Sequence, residues 1–359
     1  MHQPGTPPAP FSLSYSPNLP ELLSQLGCSL AISTYQAGKV IFISPKGADS
    51  LIQLPRNFNK AMGIGLENDK MVVATKDQVI VFRNSPDLAQ HYPRNPGTYD
   101  ALFMPRASFH TGLVDIHDID FGKDGLIGVN TSFSCLAKID ENYSFTPIWK
   151  PPFISRLVSE DRCHLNGMVL VDGKPKYVTA FGTGDTHQSW RETVTTGGIL
   201  MDVDSNEIVA QGLPMPHSPR IFDGKLYILF SATGEVAQLD VNTGKYDVIR
   251  QLKGFVRGLA RFGDYLFVGL SRLRKNSSTF AKLKIANEAN FGGVAVLHLP
   301  TGSLVGELRY QASVDEIYDV QVLPGMLRPG IVNTDREEHK MGLHIPEATF
   351  WANPDAVNT

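Results

Sequence analysis

Short strands joined by two-residue turns rich in glycine and aspartate recur along this chain at a nearly constant interval, and this limits the folds open to it. The clearest copy starts at Pro216-His217-Ser218-Pro219-Arg220. From there Ile221-Phe222 leads through Asp223-Gly224 into Lys225-Leu226-Tyr227-Ile228-Leu229-Phe230. Glu235-Val236-Ala237-Gln238-Leu239 and Lys245-Tyr246-Asp247-Val248-Ile249 follow. Asp-Gly between apolar runs is the signature of a tight hairpin. Four short antiparallel strands in about forty residues make one propeller blade.

Equivalent first strands begin near Ala61, Ile116, Asn166, Pro219, Gly258 and Asp319. They are followed by turns at Asn68-Asp69, Gly122 to Gly125, Asp172-Gly173, Asp223-Gly224, Gly263-Asp264 and Pro324-Gly325. The mean period is about 52 residues, a blade with inserted loops. Second strands are expected at 71–74, 126–129, 176–181, 225–230, 265–270 and, in the last repeat, at Ile331-Val332. Near the N-terminus, 29–33, 39–44 and 51–54 lack a first strand of their own. Pairing them with 316–323 closes the ring with strands from both ends of the chain and removes its open edges. The fold expected is therefore an all-β, six-bladed propeller, or seven-bladed if 84–112 holds a further blade. Its domain spans 24–335, with a flexible proline-rich arm at 1–23, a short helix at 19–26 and a C-terminal tail at 336–359.

Composition removes several function classes. A net charge of −3 gives no general attraction to nucleic acid or to an anionic membrane, so neither is expected as a partner. No apolar run reaches the length of a membrane span. Three widely spaced cysteines, Cys28, Cys135 and Cys163, do not form a disulfide framework and fit a reducing cytoplasm. Neither a Walker loop nor a dinucleotide fingerprint is present, so no nucleotide cofactor is expected. The basic stretch from Arg272 to Lys284 reads as a solvated insertion.

In a propeller the loop entering strand one and the loop between strands two and three share a face. Here that face collects the unusual polar residues, whereas the opposite loops are plain hairpins. Alternate residues of strand one line the axis. In this register His117, Asn166, Ser218, Arg257 and Tyr318 are equivalent, with His164 and Glu316 two positions earlier. His117, His164 and His217 suit a divalent metal (Fe, Zn or Mn), with Glu316 or Asp319 as fourth ligand or general base. Tyr318 is an alternative base. Arg220, Arg257 and Arg191 suit a carboxylate or phosphate. Tyr35 and Trp190 offer an aromatic wall, and Gln36, Asn166 and Ser271 lie on the same rim. The loop Gly182 to Arg191 has the composition of a lid.

Several of these segments also occur together in one known group: Ser33-Thr34-Tyr35-Gln36-Ala37-Gly38-Lys39, Asp161-Arg162-Cys163-His164-Leu165-Asn166-Gly167, Pro216 to Arg220, Gly254-Phe255-Val256-Arg257-Gly258 and Glu316-Ile317-Tyr318-Asp319-Val320. In these the chain resembles, over about residues 24–330, a family of uncharacterised bacterial proteins with a propeller-like domain of unknown function. The resemblance implies the fold and no reaction.

The function expected from these residues is an enzyme (oxidoreductase, lyase or hydrolase) with its site at the top mouth of the channel. It would use a metal on a small or peptide-like anionic substrate. The alternatives are a non-catalytic propeller binding a ligand or peptide there, and a metal-independent, lyase- or lactonase-like enzyme. Oligomeric state is not legible.

Overall fold

The computed structural model describes residues 8–273, 280 and 283–352. Six sheets of at least four strands each form the blades. Blade 1 joins the C-terminal strand Asp319–Pro324 to Cys28–Thr34, Lys39–Lys46 and Ser50–Asn57. Blade 2 is Ile64–Glu67, Lys70–Ala74, Gln78–Asn84 and Ala101–His110. Blade 3 is Ile116–Gly122, Gly125–Asn130, Cys135–Ile139 and Thr146–Trp149. Blade 4 is Leu165–Val171, Lys174–Ala180, Gly198–Asp202 and Ile208–Leu213. Blade 5 is Pro216–Phe222, Lys225–Phe230, Glu235–Leu239 and Tyr246–Gln251. Blade 6 is Phe255–Phe262, Tyr265–Ser271, Gly293–His298 and Ser303–Tyr310.

The turns explain why the repeat is readable. Asp172-Gly173 and Asp223-Gly224 both place two consecutive residues at positive φ, from 50° to 74°, the geometry of the tight hairpin turn. Packing explains why the second strands read as unbroken apolar runs. Each blade is covered on both faces by its neighbours, so Cys28–Thr34 is buried at every position. One apolar cluster fills each wedge between adjacent blades. Phe42 of blade 1 meets Phe103 of blade 2 in one, and Ile32 of blade 1 shares another with Phe267 of blade 6.

The ring closes as expected, through antiparallel pairs from Ser33 opposite Asp319 to Cys28 opposite Pro324. Three expectations are corrected. Residues 84–112 hold no seventh blade; they form the short helix Pro86–Gln90 and the outer strand of blade 2. Pro329–Ile331 is not a second strand of the last repeat, because Cys28–Thr34 already occupies that place. It runs parallel to Ala101–Phe103 on the outer edge of blade 2. The N-terminal arm is bound from Leu13 on: Leu13–Tyr15 pairs with the outer strand of blade 6, and Leu19 and Leu23 of the helix Leu19–Leu26 are buried. The C-terminal hairpin Gly342–Ile345 and Ala348–Trp351 sits beside blade 2, tied by the Trp351 indole N–H to the Leu88 carbonyl. Among the described residues no helix is long and apolar enough to cross a membrane. Of the basic insertion, 274–279 and 281–282 lie outside the described residues.

Candidate functional site

Close backbone packing at the axis sets the register of the six inner strands. A Cβ on Gly63 would stand 3.0 Å from Asp118 Cα, one on Gly167 3.3 Å from Ser218 N, and one on Gly258 2.8 Å from Asp319 Cα. Blades 2, 4 and 6 therefore carry glycine where blades 3, 5 and 1 carry Asp118, Ser218 and Asp319. Those three side chains reach the other way and accept backbone N–H bonds from Met168, Gly258 and Ile64, at 3.1, 3.0 and 2.9 Å. The six interfaces thus alternate between glycine contacts and side-chain bonds, giving the channel a pseudo-threefold pattern.

One residue before this ring come Met62, His117, Asn166, His217, Arg257 and Tyr318. Two residues earlier come Lys60, Asp115, His164, Met215, Phe255 and Glu316. This corrects the sequence register in blade 5: His217, not Ser218, is equivalent to His117 and Arg257. Between His217 and Arg220 the strand pairing shifts, and Met215 and Ser218 take positive φ of 57° and 48°. Lys60, Asp115 and His164 enter their strands through the same left-handed turn.

A cavity of about 310 Å³ opens at this end. Of the expected site residues, Tyr35, Gln36, His164, His217, Arg257, Ser271 and Glu316 line it. Phe181, Met215, Phe255 and Phe280 supply apolar walls that the sequence reading did not single out. His117, Asn166 and Tyr318 belong to the same axial rings but are not on the cavity wall. Trp190 is buried behind His164, their ring centres 4.5 Å apart, and Arg191 stacks on the Trp190 ring. The 182–191 loop, expected as a lid, is fastened by Asp185, which accepts from Arg162 at 2.6 Å and from the Ser155 N–H.

Two expected residues are occupied by the frame. Arg220 donates to Asp118 at 3.0 Å and to the carbonyls of Met168 and Pro219. The Asp319 carboxylate accepts from the backbone of Ile64 and Val320, and burial pushes its pKa up to about 6.

All three histidines are held by Nδ1. His164 Nδ1 lies 3.0 and 3.1 Å from the two oxygens of Asp161, and Trp190 Nε1–H donates to the same carboxylate at 3.1 Å. A carboxylate accepts only, so His164 Nδ1 carries the proton. Ser231 donates its hydroxyl to the Val256 carbonyl at 2.5 Å, so at 2.6 Å it accepts from His217 Nδ1–H. His117 Nδ1–H faces the Asp115 carbonyl at 3.2 Å. Burial, reinforced by the charge of Arg257, holds His117 and His217 well below the usual imidazole range. Both are neutral, with Nε2 as an acceptor. Asp161 was not among the residues singled out, although its position three before His164 is the signal that could have found it.

Arg257 and Tyr318 complete the site. The guanidinium lies over the Tyr318 ring, 3.3 Å from its centre, and its nearest carboxylate oxygen, on Glu316, is 3.9 Å away. Arg257 Nη2, Tyr318 Oη and Asn166 Nδ2 are buried with no hydrogen-bond partner among the described residues. Asn166 Oδ1 accepts from the Thr179 hydroxyl at 2.7 Å. Among the described residues, no three His, Cys, Asp or Glu side chains are grouped to hold a metal. The His117 and His164 rings meet edge to face at 4.9 Å.

These features define a six-bladed β-propeller with a polar pocket at one mouth of its channel. The chain belongs to a family described as a domain of unknown function, DUF4915, whose sequence pattern matches residues 17–332. No curated protein matches its sequence. Among solved structures, a chain of the "Nidogen/Laminin Complex" is similar with a TM-score of 0.51 at 10% identity, covering 83% of this chain and 99% of that one. A computationally designed protein, Ika8, aligns at 9% identity over 86% of this chain and 76% of its own, with a TM-score of 0.38. The first likeness bears on the fold alone.

Proposed function

We propose that the channel mouth binds a small organic carboxylate and that His164 acts on it as a general base. The observation that carries this reading is a set of unmatched donors on one axial ring: Arg257 Nη2, on a residue that lines the cavity, and Asn166 Nδ2 and Tyr318 Oη, on residues behind its wall. A buried donor without an acceptor costs about 1–3 kcal/mol, so three on one ring favour a bound oxyanion. One guanidinium with Glu316 close by suits a monoanion. Phe181, Phe255 and Phe280 suit an apolar body above the charged head.

In this reading His164 Nε2 takes a proton from the bound ligand or from a water beside it. Asp161 holds the ring by Nδ1 and stabilises the imidazolium that forms. Arg257 stabilises negative charge that develops on the carboxylate side. Trp190 positions Asp161.

The test is thermal unfolding of the full chain with a panel of small carboxylates at millimolar concentration. A ligand at a hundred times its Kd stabilises by about 2.7 kcal/mol. The stabilisation should vanish in Arg257→Ala and persist in His164→Ala, which should lose turnover of the ligand so found. No shift with any carboxylate, or the same shift in Arg257→Ala, overturns the reading. Stabilisation without turnover identifies the non-catalytic binding propeller.

A second reading keeps a metal (Fe, Zn or Mn). What favours it is that all three histidines are bonded through Nδ1, the arrangement outer-shell partners impose on metal-ligating imidazoles. Their rings would have to move together to share one ion. Stoichiometric metal in purified protein, lost in His164→Ala, would establish it.

A further inference from the structure

A second polar cavity, of about 500 Å³, lies far from the channel mouth, between blade 2 and the C-terminal hairpin. Lys70, Arg83 and Arg106 line it together with His344, Ile345 and Pro346. Two of the cations have acidic partners: Lys70 meets Glu67 at 3.0 Å, and Arg83 Nε meets Asp69 at 2.6 Å. Neither acid lines the cavity. Among the described residues Arg106 has no ion pair, and its hydrogen bond is a 3.4 Å contact to the carbonyl of Pro105. His344 Nδ1 is buried without a partner.

The backbone explains how Arg106 comes to be there. Val81 pairs with Ala107 and Phe82 with Pro105, so Arg106 is the extra residue of a β-bulge. A bulge re-aims one side chain out of the ladder. Here that side chain is a guanidinium set beside Arg83, and partial desolvation, with the like charge of Arg83, lowers its basicity. Glu67 and Asp69 offset Lys70 and Arg83 from outside the cavity, so within it three cationic groups face one space with no carboxylate on its wall.

We propose that this cavity binds the phosphate group of a phosphorylated ligand, with Arg106 and the free edge of Arg83 as forked donors, Lys70 as a point charge and His344 as a further donor. Tetrahedral phosphate, with several acceptors and up to two charges, matches this donor set better than a monocarboxylate does. The exposed Leu343 and Phe350 on the adjoining hairpin raise the question of source, a soluble phosphate ester or a lipid headgroup.

The experiment is calorimetric titration of the full chain with glycerol 3-phosphate, alongside co-sedimentation with vesicles containing phosphatidic acid. Binding in either arm is expected, and which arm responds assigns the source. Arg106→Ala should weaken it about tenfold or more, with Arg106→Lys intermediate. Arg106 is exposed and outside the core, so the variant should fold, and a thermal melt verifies this. Arg257→Ala should leave the binding unchanged. No binding in either arm, equal binding in Arg106→Ala, or loss in Arg257→Ala instead would overturn the proposal.

Discussion

Arg257 rests its guanidinium on the face of Tyr318, 3.3 Å from the ring centre, while Arg257 Nη2 and the Tyr318 hydroxyl are buried without a hydrogen-bond partner. Stacking holds the cation in place and leaves Arg257 Nη2 without an acceptor among the described residues.

From this follows a pair of opposed effects for Tyr318→Phe. Removing an unpartnered buried hydroxyl should leave the ligand-free protein as stable as before, or up to about 1 kcal/mol more stable. The same change should weaken carboxylate binding. Denaturant unfolding with and without ligand measures both, and a large loss of stability in the ligand-free variant would show that the hydroxyl is already bonded.

Asp161 is a positioning residue for His164. In Asp161→Ala the Nδ1–H tautomer should no longer be enforced, and the ring should shift towards the Nε2–H form. Long-range 1H–15N spectra report this directly. Stability should fall by about 1–2 kcal/mol, since Trp190 loses the same acceptor.

Glycine at the axis should be far less replaceable than glycine in the turns. At Gly258 a Cβ would lie 2.7 Å from Val320 N and 2.8 Å from Asp319 Cα, at a φ of +80°. Gly258→Ala should cost about 3 kcal/mol or more, through forced separation of blades 6 and 1. At Gly224, also at positive φ, a Cβ would meet nothing within 4 Å. Gly224→Ala should cost about 1 kcal/mol. Similar urea midpoints for the two variants would refute the close-contact account.

Asp120 makes stability fall as pH rises. Burial raises its pKa from 3.8 to about 6 in the folded protein. Between about pH 4 and 6 the folded state therefore binds more protons than the unfolded state, and stability drops across that window. Asp120→Asn keeps an acceptor for the Phe121 N–H. It should stabilise the protein by about 1–2 kcal/mol at pH 7.5, and the gain should disappear near pH 4. Urea unfolding at the two pH values checks it.

The sequence by itself determined the architecture. A tight turn is set by the two residues in it, and Asp172-Gly173 and Asp223-Gly224 announce their hairpins without help from the rest of the chain. Five such units, with three strands left over at one end and one at the other, specify the closure that makes the sixth blade and pairs Ser33 with Asp319. The face carrying the site was also legible, because loops alternate ends along an antiparallel sheet. Tertiary structure decided which residues the site uses. Whether His217 or Ser218 takes the ring position depends on a left-handed residue between two prolines, and a one-residue shift reverses which side of a strand faces the axis. Arg220 looked like Arg257 in the sequence, yet it is bonded to Asp118, 102 positions away, and belongs to the frame. Arg257 instead stacks on the Tyr318 ring across the blade boundary, with the Glu316 carboxylate only at 3.9 Å. Those differences come from contacts between distant segments, which local turn chemistry does not encode.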